Sequence, residues 1–433
     1  MKYSESSYYS DTSINSYTSD ENFSNSDKIN DTNINLEKDI INEYNIISLL
    51  GTGAYSAVWL VYSILDCKYY ALKVQNYDDY EDGIDEVSML KKIPKDDPHL
   101  NNLLKHFIEE RYVNDKKRKF VCTAYNLCNN NLDVIIRKGN YNTGFNHHSK
   151  DIFKQICKGI ETLHNKLKVF HGDLKLDNIL LKGINKKTEV YINHYNSYNF
   201  NQEYKKLKEQ FWLNKGKNIS KIKNMKSIDK INIRKILHKN IMNELDLNKI
   251  ASINNYEVDN KKFNVSITDF GHYCPDEEIM NEKFGTQMYQ SPEIILMGNC
   301  TKKVDIWALG CTLYEILTGE LLFDPWGDDD IDTDLIHLHE IFNLFGKIDK
   351  NYLVNSKYYK IYFKGDKLRS FENKLNIKNE TTFKLKLKQK LSNTIFEKDF
   401  NDIYSLLSGM LNPVAHYRYS INEVLDSDWI KKN

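Results

Sequence analysis

The chain lacks the features that mark secreted and membrane-spanning proteins. Its seven cysteines form no Cys-x-x-Cys pair, and their odd number argues against a disulfide framework or a zinc site. No apolar run of about 18 residues occurs, so we expect no membrane-spanning helix. The first residues, MKYSESSYYS, contain no apolar segment of the signal-peptide kind. We therefore expect an intracellular protein, cytoplasmic, nuclear or both, without a membrane partner.

The chain also lacks net charge, because 60 Lys and Arg residues balance 60 Asp and Glu residues. This balance conceals an uneven distribution. Residues 183–262 contain 17 basic against 8 acidic side chains, whereas residues 1–41 contain 3 basic against 8 acidic ones. The basic block could bind nucleic acid, direct localisation or be a solvated coil. Its lysines do not alternate with a regular aromatic array, so we expect no direct nucleic-acid binding.

Composition divides the chain into a polar tail and a structured domain. Residues 1–41 contain few aliphatic side chains and cannot bury enough apolar area to offset their ordering entropy, so we predict a disordered tail. Over residues 42–128, the runs YNIISLL, AVWLVYSI, KYYALKV and FVCTAYNL predict an antiparallel sheet. Apolar residues recur at helical spacing near 85–93, which predicts one helix among these strands.

Residues 129–430 are predicted to be mostly helical. Apolar side chains follow one face of the segment 151–165, with Ser149 as a candidate N-cap. The segment 304–319 is apolar nearly all round, which predicts a buried helix, and two acidic residues make it too charged to span a membrane. The sequence therefore predicts an α+β protein with a small sheet lobe and a larger helical lobe.

A long segment interrupts the helical lobe. The strand ILL at 179–181 should soon be followed by its hairpin partner, but the next strand-like run is VSITDF at 265–270. The Lys- and Asn-rich residues 183–262 lie between the two. We predict that they form an insert looped out of the domain, because the entropic cost of closing a loop grows slowly with its length.

The sequence HGDLKLDN at 171–178 carries the most specific chemical pattern. It places a carboxylate (Asp173), an ammonium (Lys175) and an amide (Asn178) on one short segment. In a phosphoryl transfer, Asp173 would accept the proton of the attacking alcohol and Lys175 would neutralise charge on the moving phosphate. Asn178 would hold a magnesium ion.

Three further motifs supply what such a transfer needs. The turn LGTGAYSAV joins two predicted strands and is either a plain hairpin or a lid whose glycines let backbone amides approach phosphates. The nucleotide-binding residues predicted there are Leu50, Gly51, Thr52, Gly53, Ala54, Tyr55, Ser56, Ala57 and Val58. Lys73 is either an exposed edge charge or a partly buried ammonium directed by Glu86, with Glu81 as the alternative. Asp269, in Asp-Phe-Gly, would join Asn178 as a magnesium ligand.

The motifs, in this order, resemble those of eukaryotic protein kinases over about residues 44–430. Lys175 and Thr286 look like their counterparts in the Ser/Thr-specific members. The resemblance implies the two-lobed kinase fold, ATP and Mg²⁺ as cofactors, and a monomer that phosphorylates Ser or Thr of protein substrates. It also implies an ion pair between Glu293 and Arg418, and a scaffold carboxylate, Asp305, that accepts backbone N–H groups of the catalytic loop. The residue at the back of the ATP pocket is expected near Ala124.

A closer resemblance is to the SR protein kinases, which phosphorylate Arg/Ser-rich splicing factors. Ser56 at the third-glycine position, Gly172 in place of an Arg, and the position of the insert carry it. So does the acidic run at 328–334, which is either a solvated loop or a docking groove for basic substrates. The sequence departs from that family at Phe270, Leu176, Asp177 and Gln290, the last of them near the substrate site.

Two functional hypotheses follow from the resemblance. The first is an active kinase, and the alternative is a pseudokinase scaffold that binds nucleotide and partners. Lys73, Asp173, Asn178 and Asp269 are all present, which favours the active enzyme. Gly172 cannot contact a phosphate as Arg does, and the segment 269–293 offers only Thr286 and Ser291 as hydroxyl side chains besides its tyrosines. We therefore expect activity without phosphorylation of this segment.

Overall fold

The computed structural model describes most of the domain. The described residues are 39–139, 141, 144–215, 225–245, 250, 252–253, 263–276, 282–326, 332–365, 367–369 and 382–432. Residues 1–38 of the predicted tail lie outside this part of the chain. Among the described residues, no helix is long and apolar enough to cross a membrane.

The strands fall mainly in the first third of the described chain. They are β1 (Ile40–Ile41), β2 (Tyr44–Thr52), β3 (Ser56–Ser63), β4 (Lys68–Gln75), β5 (Lys105–Val113), β6 (Lys116–Tyr125), β7 (Cys128–Asn131), β8 (Val169–Phe170), β9 (Ile179–Lys182), β10 (Val265–Ile267), β11 (Cys274–Pro275), β12 (Phe363–Lys364) and β13 (Lys367–Leu368).

The helices dominate the remainder. They are α1 (Tyr80–Leu90), α2 (Leu132–Lys138), α3 (Ser149–Glu161), α4 (Lys186–Asn196), α5 (Phe200–Asn214), α6 (Ser227–Asn243), α7 (Pro292–Ile295), α8 (Lys303–Thr318), α9 (Thr333–Phe345), α10 (Lys350–Leu353), α11 (Tyr359–Tyr362), α12 (Phe383–Leu391), α13 (Phe400–Met410), α14 (Ile421–Leu425) and α15 (Asp428–Lys431). The predicted α+β fold, with a sheet lobe followed by a helical lobe, is confirmed.

The small lobe is one antiparallel sheet in the order β1-β2-β3-β4-β6-β5. The sheet curls, because Tyr44 of β2 stacks on Phe107 of the far edge strand β5 with ring centroids 5.8 Å apart. Arg111 of β5 also donates to the carbonyl of Ile40 at 2.7 Å. The lobe thus begins at β1, slightly before the predicted boundary at 42, because Ile41 is fully buried against β2.

The large lobe is organised around α8, which is buried along nearly its whole length. Helices α3 and α13 pack on it and close its apolar core. Ser149 is the first residue of α3 rather than its N-cap, and its hydroxyl donates to the carbonyl of Ile316 in α8 at 3.3 Å. The predicted hairpin between the strands at 179–181 and 265–267 is confirmed, with Leu180 opposite Ser266.

The insert packs on the small lobe, so the prediction that it loops out of the domain is wrong. Its helices α4 and α6 place Tyr195, Leu237 and Ile241 against Ile47 and Leu60 on the outer face of the sheet. These apolar side chains recur along each helix at helical spacing and match an apolar sheet face. Burying the two faces against each other stabilises the contact, since each would otherwise expose apolar area to water.

A buried polar network fixes the insert to β2. Arg234 of α6 donates through Nε to Asn45 Oδ1 at 2.6 Å, and Asn45 Nδ2 donates to the hydroxyl of Tyr195 at 2.7 Å. His238 bonds the carbonyl of Ile46 at 2.8 Å. Burial lowers the pKa of Arg234 to about 10. Because β2 continues into the predicted nucleotide-binding turn, the insert braces the strand that carries this turn.

We predict that Arg234→Leu lowers the free energy of unfolding by about 2–3 kcal/mol, because it leaves buried acceptors on β2 without their charged donor. Chemical denaturation followed by tryptophan fluorescence measures this change. Lys230→Leu, which removes an exposed lysine of the same helix, should change stability by less than about 0.5 kcal/mol. Equal effects of the two substitutions would contradict the docking of the insert.

Candidate active site

Sheet register decides which small-lobe side chains face the cleft between the lobes. Lys73 of β4 pairs with Val58 of β3 and with Thr123 of β6. Residues paired across antiparallel strands project from the same face of a sheet. Val58, from the predicted nucleotide-binding turn, and Lys73 are therefore neighbours on the cleft face.

The same register settles which residue stands at the back of the cleft. Ala124 pairs with Leu72, and both are buried in the core of the small lobe on the opposite face. Tyr125 pairs with Ala71 and so shares the face of Lys73. Burial and the charge of Glu86 raise the pKa of Tyr125 above its ordinary value. The residue expected near Ala124 is thus its neighbour Tyr125, because a one-residue slip along a strand exchanges the two faces.

A buried ion pair directs Lys73. Its Nζ lies 2.9 Å from each carboxylate oxygen of Glu86, on α1, and 3.1 Å from Asp269 Oδ1. Burial alone would lower the pKa of Lys73, but Glu86 and Asp269 outweigh burial and raise it above its ordinary value. Lys73 is therefore a fixed cation at the cleft. Glu81, the alternative partner, is exposed in the first turn of α1.

Hydrogen bonds fix the tip of the turn between β2 and β3, and the space next to its glycines is unfilled. The Gly53 N–H donates to the carbonyl of Ser56 at 2.8 Å. Asn76 holds the tip from below, since its backbone N–H donates to the Tyr55 carbonyl at 2.8 Å and its side chain to the Ala54 carbonyl at 3.1 Å. Sequence reasoning missed Asn76, which lies just beyond β4 and carries no motif.

The glycines of this turn leave space that a phosphate can use. A Cβ atom added at Gly51 would have no heavy atom within 4 Å, and one added at Gly53 would meet only the Ser56 carbonyl at 3.9 Å. The protein itself therefore does not require glycine here for packing. Backbone amides without a side chain above them are the arrangement that lets phosphate oxygens approach closely.

Asp173 lies at the centre of a hydrogen-bonded cluster. Its Oδ1 accepts from both the backbone N–H and the hydroxyl of Thr286 at 2.7 Å, while its Oδ2 lies 3.1 Å from Lys175 Nζ. Burial alone would raise the pKa of Asp173, but Lys175 and Thr286 outweigh it and hold the pKa below its ordinary value. Asp173 is thus an ionised carboxylate that can accept a proton.

Asn178 and Asp269 each offer an oxygen atom that could hold a divalent cation. The Nδ2 of Asn178 donates to the Asp173 carbonyl at 2.8 Å and to Asp173 Oδ2 at 3.2 Å, which leaves the amide oxygen of Asn178 as an acceptor. The Lys73 charge lowers the pKa of Asp269, whereas burial of the carboxyl raises it. The Lys73 effect is larger, so the pKa of Asp269 lies below its ordinary value. A carboxylate and an amide oxygen at one cleft suit Mg²⁺, which prefers oxygen ligands.

Asp305, at the start of α8, carries the catalytic loop. It is about 1% exposed, and it accepts the backbone N–H of His171 at 2.7 Å and of Gly172 at 3.0 Å. His164 lies 2.8 Å from the same carboxylate. Burial alone would raise the pKa of Asp305, but His164 and the loop donors lower it. The predicted contact between Asp305 and the loop backbone is confirmed.

Gly172 leaves no room for a side chain. Its φ is +81°, in the left-handed region, and an added Cβ would overlap the carbonyl oxygen of His272. The backbone of the segment that begins at Asp269 therefore occupies the space beside the catalytic loop. Gly285, near the end of that segment, has φ +75° and lies against the Gly172 carbonyl at a distance that also excludes a Cβ.

The described residues of the segment from Asp269 to Glu293 are anchored by ion pairs and by strand pairing. Glu293 lies 2.7 Å from Arg418 in a buried ion pair, as predicted. Strand β11 pairs with β8, next to the catalytic loop. Asp276 holds Lys302 at 2.7 Å. Part of the segment, residues 277–281, lies outside the described residues.

Both hydroxyl residues singled out in this segment are engaged or enclosed. Thr286 donates to Asp173, and Lys175 Nζ lies 2.5 Å from its hydroxyl. Ser291 is fully buried. Gln290 is buried too, and its amide donates to the carbonyls of Phe284 at 3.0 Å and Gly285 at 3.2 Å, so it holds the segment together.

Comparison with known proteins finds one matching family and several relatives that are named as protein kinases. The family described as "Protein kinase domain" matches residues 44–206 and 253–430. The putative serine/threonine-protein kinase L205 of Acanthamoeba polyphaga mimivirus is 27% identical over 89% of this chain and 87% of its own length. The serine/threonine-protein kinase SRPK of Physarum polycephalum is 27% identical over 74% of this chain and 71% of its own. SRSF protein kinase 3 of Homo sapiens is 30% identical over 33% of this chain and 26% of its own.

We predict that Gly172→Ala destabilises the protein far more than Gly183→Ala does. Both glycines have positive φ, but an added Cβ at Gly183 would meet nothing within 4 Å. Backbone strain alone should cost about 1–2 kcal/mol at Gly183. At Gly172 the overlap with His272 adds to this strain, and we expect a total loss of about 3 kcal/mol or more. Thermal denaturation of the two variants checks this, and equal midpoints would contradict the packing described above.

Proposed function

This chain belongs to the protein kinase family, as a serine/threonine kinase related to the SR protein kinases, and we propose that it phosphorylates Arg/Ser-rich basic proteins without prior phosphorylation of its own activation segment, residues 269–293. The observation that carries the second part of the proposal is the Thr286–Asp173–Lys175 cluster, in which side chains of the protein alone join the segment to Asp173. The substrates of such a kinase are proteins.

We assign the nucleotide to the cleft face of the small lobe. The loop of residues 50–58 would cover the phosphates of ATP, and Lys73, directed by Glu86, would contact them. Mg²⁺ would be held by Asn178 and Asp269 and would neutralise charge on the phosphates. Two observations support this assignment. The Lys73 ammonium is held in place by Glu86, and the space above Gly51 is open.

Asp173 is the proposed catalytic base. Its ionised carboxylate would accept the proton of the substrate hydroxyl as the oxygen attacks the γ-phosphorus. The phosphorus–oxygen bond to the β-phosphate breaks, and ADP leaves with the electron pair. Lys175, 3.1 Å from Asp173, would stabilise the charge on the transferred group. The pseudokinase alternative is disfavoured, because the four side chains that this chemistry needs are present and mutually oriented in the cleft.

The proposed independence from phosphorylation follows from the packing at Gly172. Many protein kinases carry Arg at this position, where it pairs with a phosphate on the activation segment. Here His272 excludes any side chain, and the carboxylate of Asp276, paired with Lys302, anchors the same segment. The Asp276 carboxylate and the pairing of β11 with β8 would thus hold the activation segment in place, as a phosphate does in kinases that carry the Arg.

The proposed preference for basic substrates rests on the acidic run at 328–334. Residues 328–331 of this run lie outside the described residues. Asp332 caps α9 by accepting the N–H of Asp334 at 2.9 Å, and Asp334 binds Lys283. These two carboxylates are therefore engaged within the protein, and we assign substrate docking to Asp328, Asp329 and Asp330.

We predict that a peptide of Arg-Ser repeats is phosphorylated more efficiently than acidic or proline-directed peptides of the same length. Transfer of radiolabelled phosphate from ATP measures this preference, with Asp173→Ala as the blank.

Replacing Asp328, Asp329 and Asp330 by Asn should raise KM for the Arg-Ser peptide by about tenfold at low salt, since a docking carboxylate attracts basic residues most strongly at low ionic strength. An unchanged KM would remove the docking role but not the kinase activity.

We further predict that the enzyme keeps at least about half of its activity after treatment with a broad-specificity phosphatase, because its activation segment is anchored without a phosphate. Mass spectrometry of the treated protein verifies that phosphate has been removed. The matched comparison is a kinase that carries Arg before its catalytic Asp, which should lose most of its activity. A comparable loss here would refute the proposed independence.

A further inference from the structure

A buried carboxylate in α8 connects two elements that the mechanism above does not link. Glu315 is fully buried, and its Oε2 accepts from the hydroxyl of Tyr289 at 2.5 Å. Its other oxygen pairs with Arg137 Nη2. Arg137 belongs to α2, directly after the strand segment that ends the cleft, and its Nε lies 3.0 Å from Asp133 in the same helix.

Tyr289 lies close to the reacting groups along the chain. It ends the short turn Gln287–Tyr289, and its backbone N–H donates to the Thr286 carbonyl at 2.9 Å. Thr286 is the residue whose N–H and hydroxyl both contact Asp173. A displacement of the Tyr289 ring would therefore be transmitted through three residues of turn to the catalytic carboxylate.

From this series of contacts we infer that Arg137 is a positioning residue of the kinase. It holds Glu315 in place as an anion, Glu315 holds the Tyr289 hydroxyl, and Tyr289 sets the position of Thr286 and of the peptide-facing surface around it. Arg137 also donates to the Gly319 carbonyl at 3.5 Å. Neither this contact nor the one with Asp133 leads to Asp173, so its proposed effect on the reaction is exerted through Glu315.

The electrostatic surroundings of Glu315 show why a cation is needed. Burial raises the pKa of Glu315 to about 7, although Tyr289 and Arg137 both favour the ionised form. Asp133 on α2 opposes ionisation, and Cys311, on α8 with Glu315, also faces this carboxylate. The carboxylate form is the one that accepts a charge-assisted bond from Tyr289. Without Arg137, the group would be protonated at higher pH and the bond to Tyr289 would weaken.

The competing interpretation is that Arg137 only stabilises the fold. The exposure of the Arg137 side chain helps to distinguish this interpretation from a positioning role. The Arg137 side chain is 38% exposed, whereas that of Glu315 is fully buried. Truncating a half-exposed side chain leaves no closed cavity, but it removes the charged donor of the buried Glu315 carboxylate, so we expect a moderate fall in melting temperature without loss of the fold. A positioning role predicts a selective kinetic defect, and a bracing role predicts a loss of stability that affects both substrates.

The test compares Arg137→Leu and Arg137→Lys with Lys166→Leu, which removes the same charge from an exposed residue elsewhere in the large lobe. Steady-state kinetics use whichever peptide is phosphorylated best, so the test does not depend on the substrate class proposed above. We expect Arg137→Leu to raise the peptide KM about tenfold and to leave the ATP KM within about twofold. Arg137→Lys should recover part of the loss, and Lys166→Leu should resemble the unaltered enzyme.

The pH profile supplies a readout that a brace would not change. Activity should fall as pH drops through about 7, because Glu315 then gains a proton and loses its charge. In Arg137→Leu this acid limb should move to higher pH by about one unit or more. In Glu315→Gln, whose side chain does not titrate, the limb should flatten. Unshifted profiles in both variants would overturn the inference, as would equal increases in the two KM values together with a lowered melting temperature.

Discussion

The active site depends on one buried charge, the carboxylate of Asp305 at the start of the core helix α8. Taking an isolated carboxylate out of water costs several kcal/mol, and the cost is offset only where donors surround the ion. Here the donors are the backbone N–H groups of His171 and Gly172 together with His164. Because the two backbone N–H groups belong to the catalytic loop, the core helix and the loop can be satisfied only together. The position of Asp173 follows from this requirement.

The space next to Asp305 is filled by backbone instead of side chains. Gly172, Gly285 and the carbonyl of His272 approach so closely that neither glycine can carry a Cβ. Close approach of three chain segments brings the Thr286 N–H and hydroxyl onto Asp173. The absence of a side chain at Gly172 is therefore a packing requirement, and it explains how the activation segment can be held by Asp276 and strand pairing.

The small lobe is positioned by a second set of buried contacts, and these come from the insert. Arg234, His238 and Tyr195 bond to β2, and apolar side chains around them cover the outer face of the sheet. The insert leaves the large lobe beside the catalytic loop, at β9, and returns at β10. It therefore connects the strand that carries the proposed nucleotide-binding turn to the lobe that carries the proposed catalytic groups.

Motifs of the sequence were sufficient for the fold class, for the hairpin at 179–181 and 265–267, and for the ion pair between Glu293 and Arg418. The fold class and the hairpin followed from periodicity and strand-like runs, whereas the ion pair followed from the resemblance of residues 284–293 to the corresponding motif of protein kinases. The docked insert was not predictable in this way, since its apolar residues are too sparse among lysines and asparagines to indicate which surface they cover. Asn76 and Arg137 likewise carry no motif.

The sequence by itself determined which chemical groups are available, because residue identity decides what can donate, accept or ligate, and the order of motifs decides which lobe carries them. The tertiary structure alone decided which groups meet. Tyr125 rather than Ala124 faces Lys73 because sheet register alternates the faces, and Glu86 rather than Glu81 reaches Lys73 because α1 turns it inward. Gly172 is excluded from carrying a side chain because a segment 100 residues later, at His272, lies against it. Such contacts depend on distances between parts of the chain that are remote in sequence, and no local pattern records them.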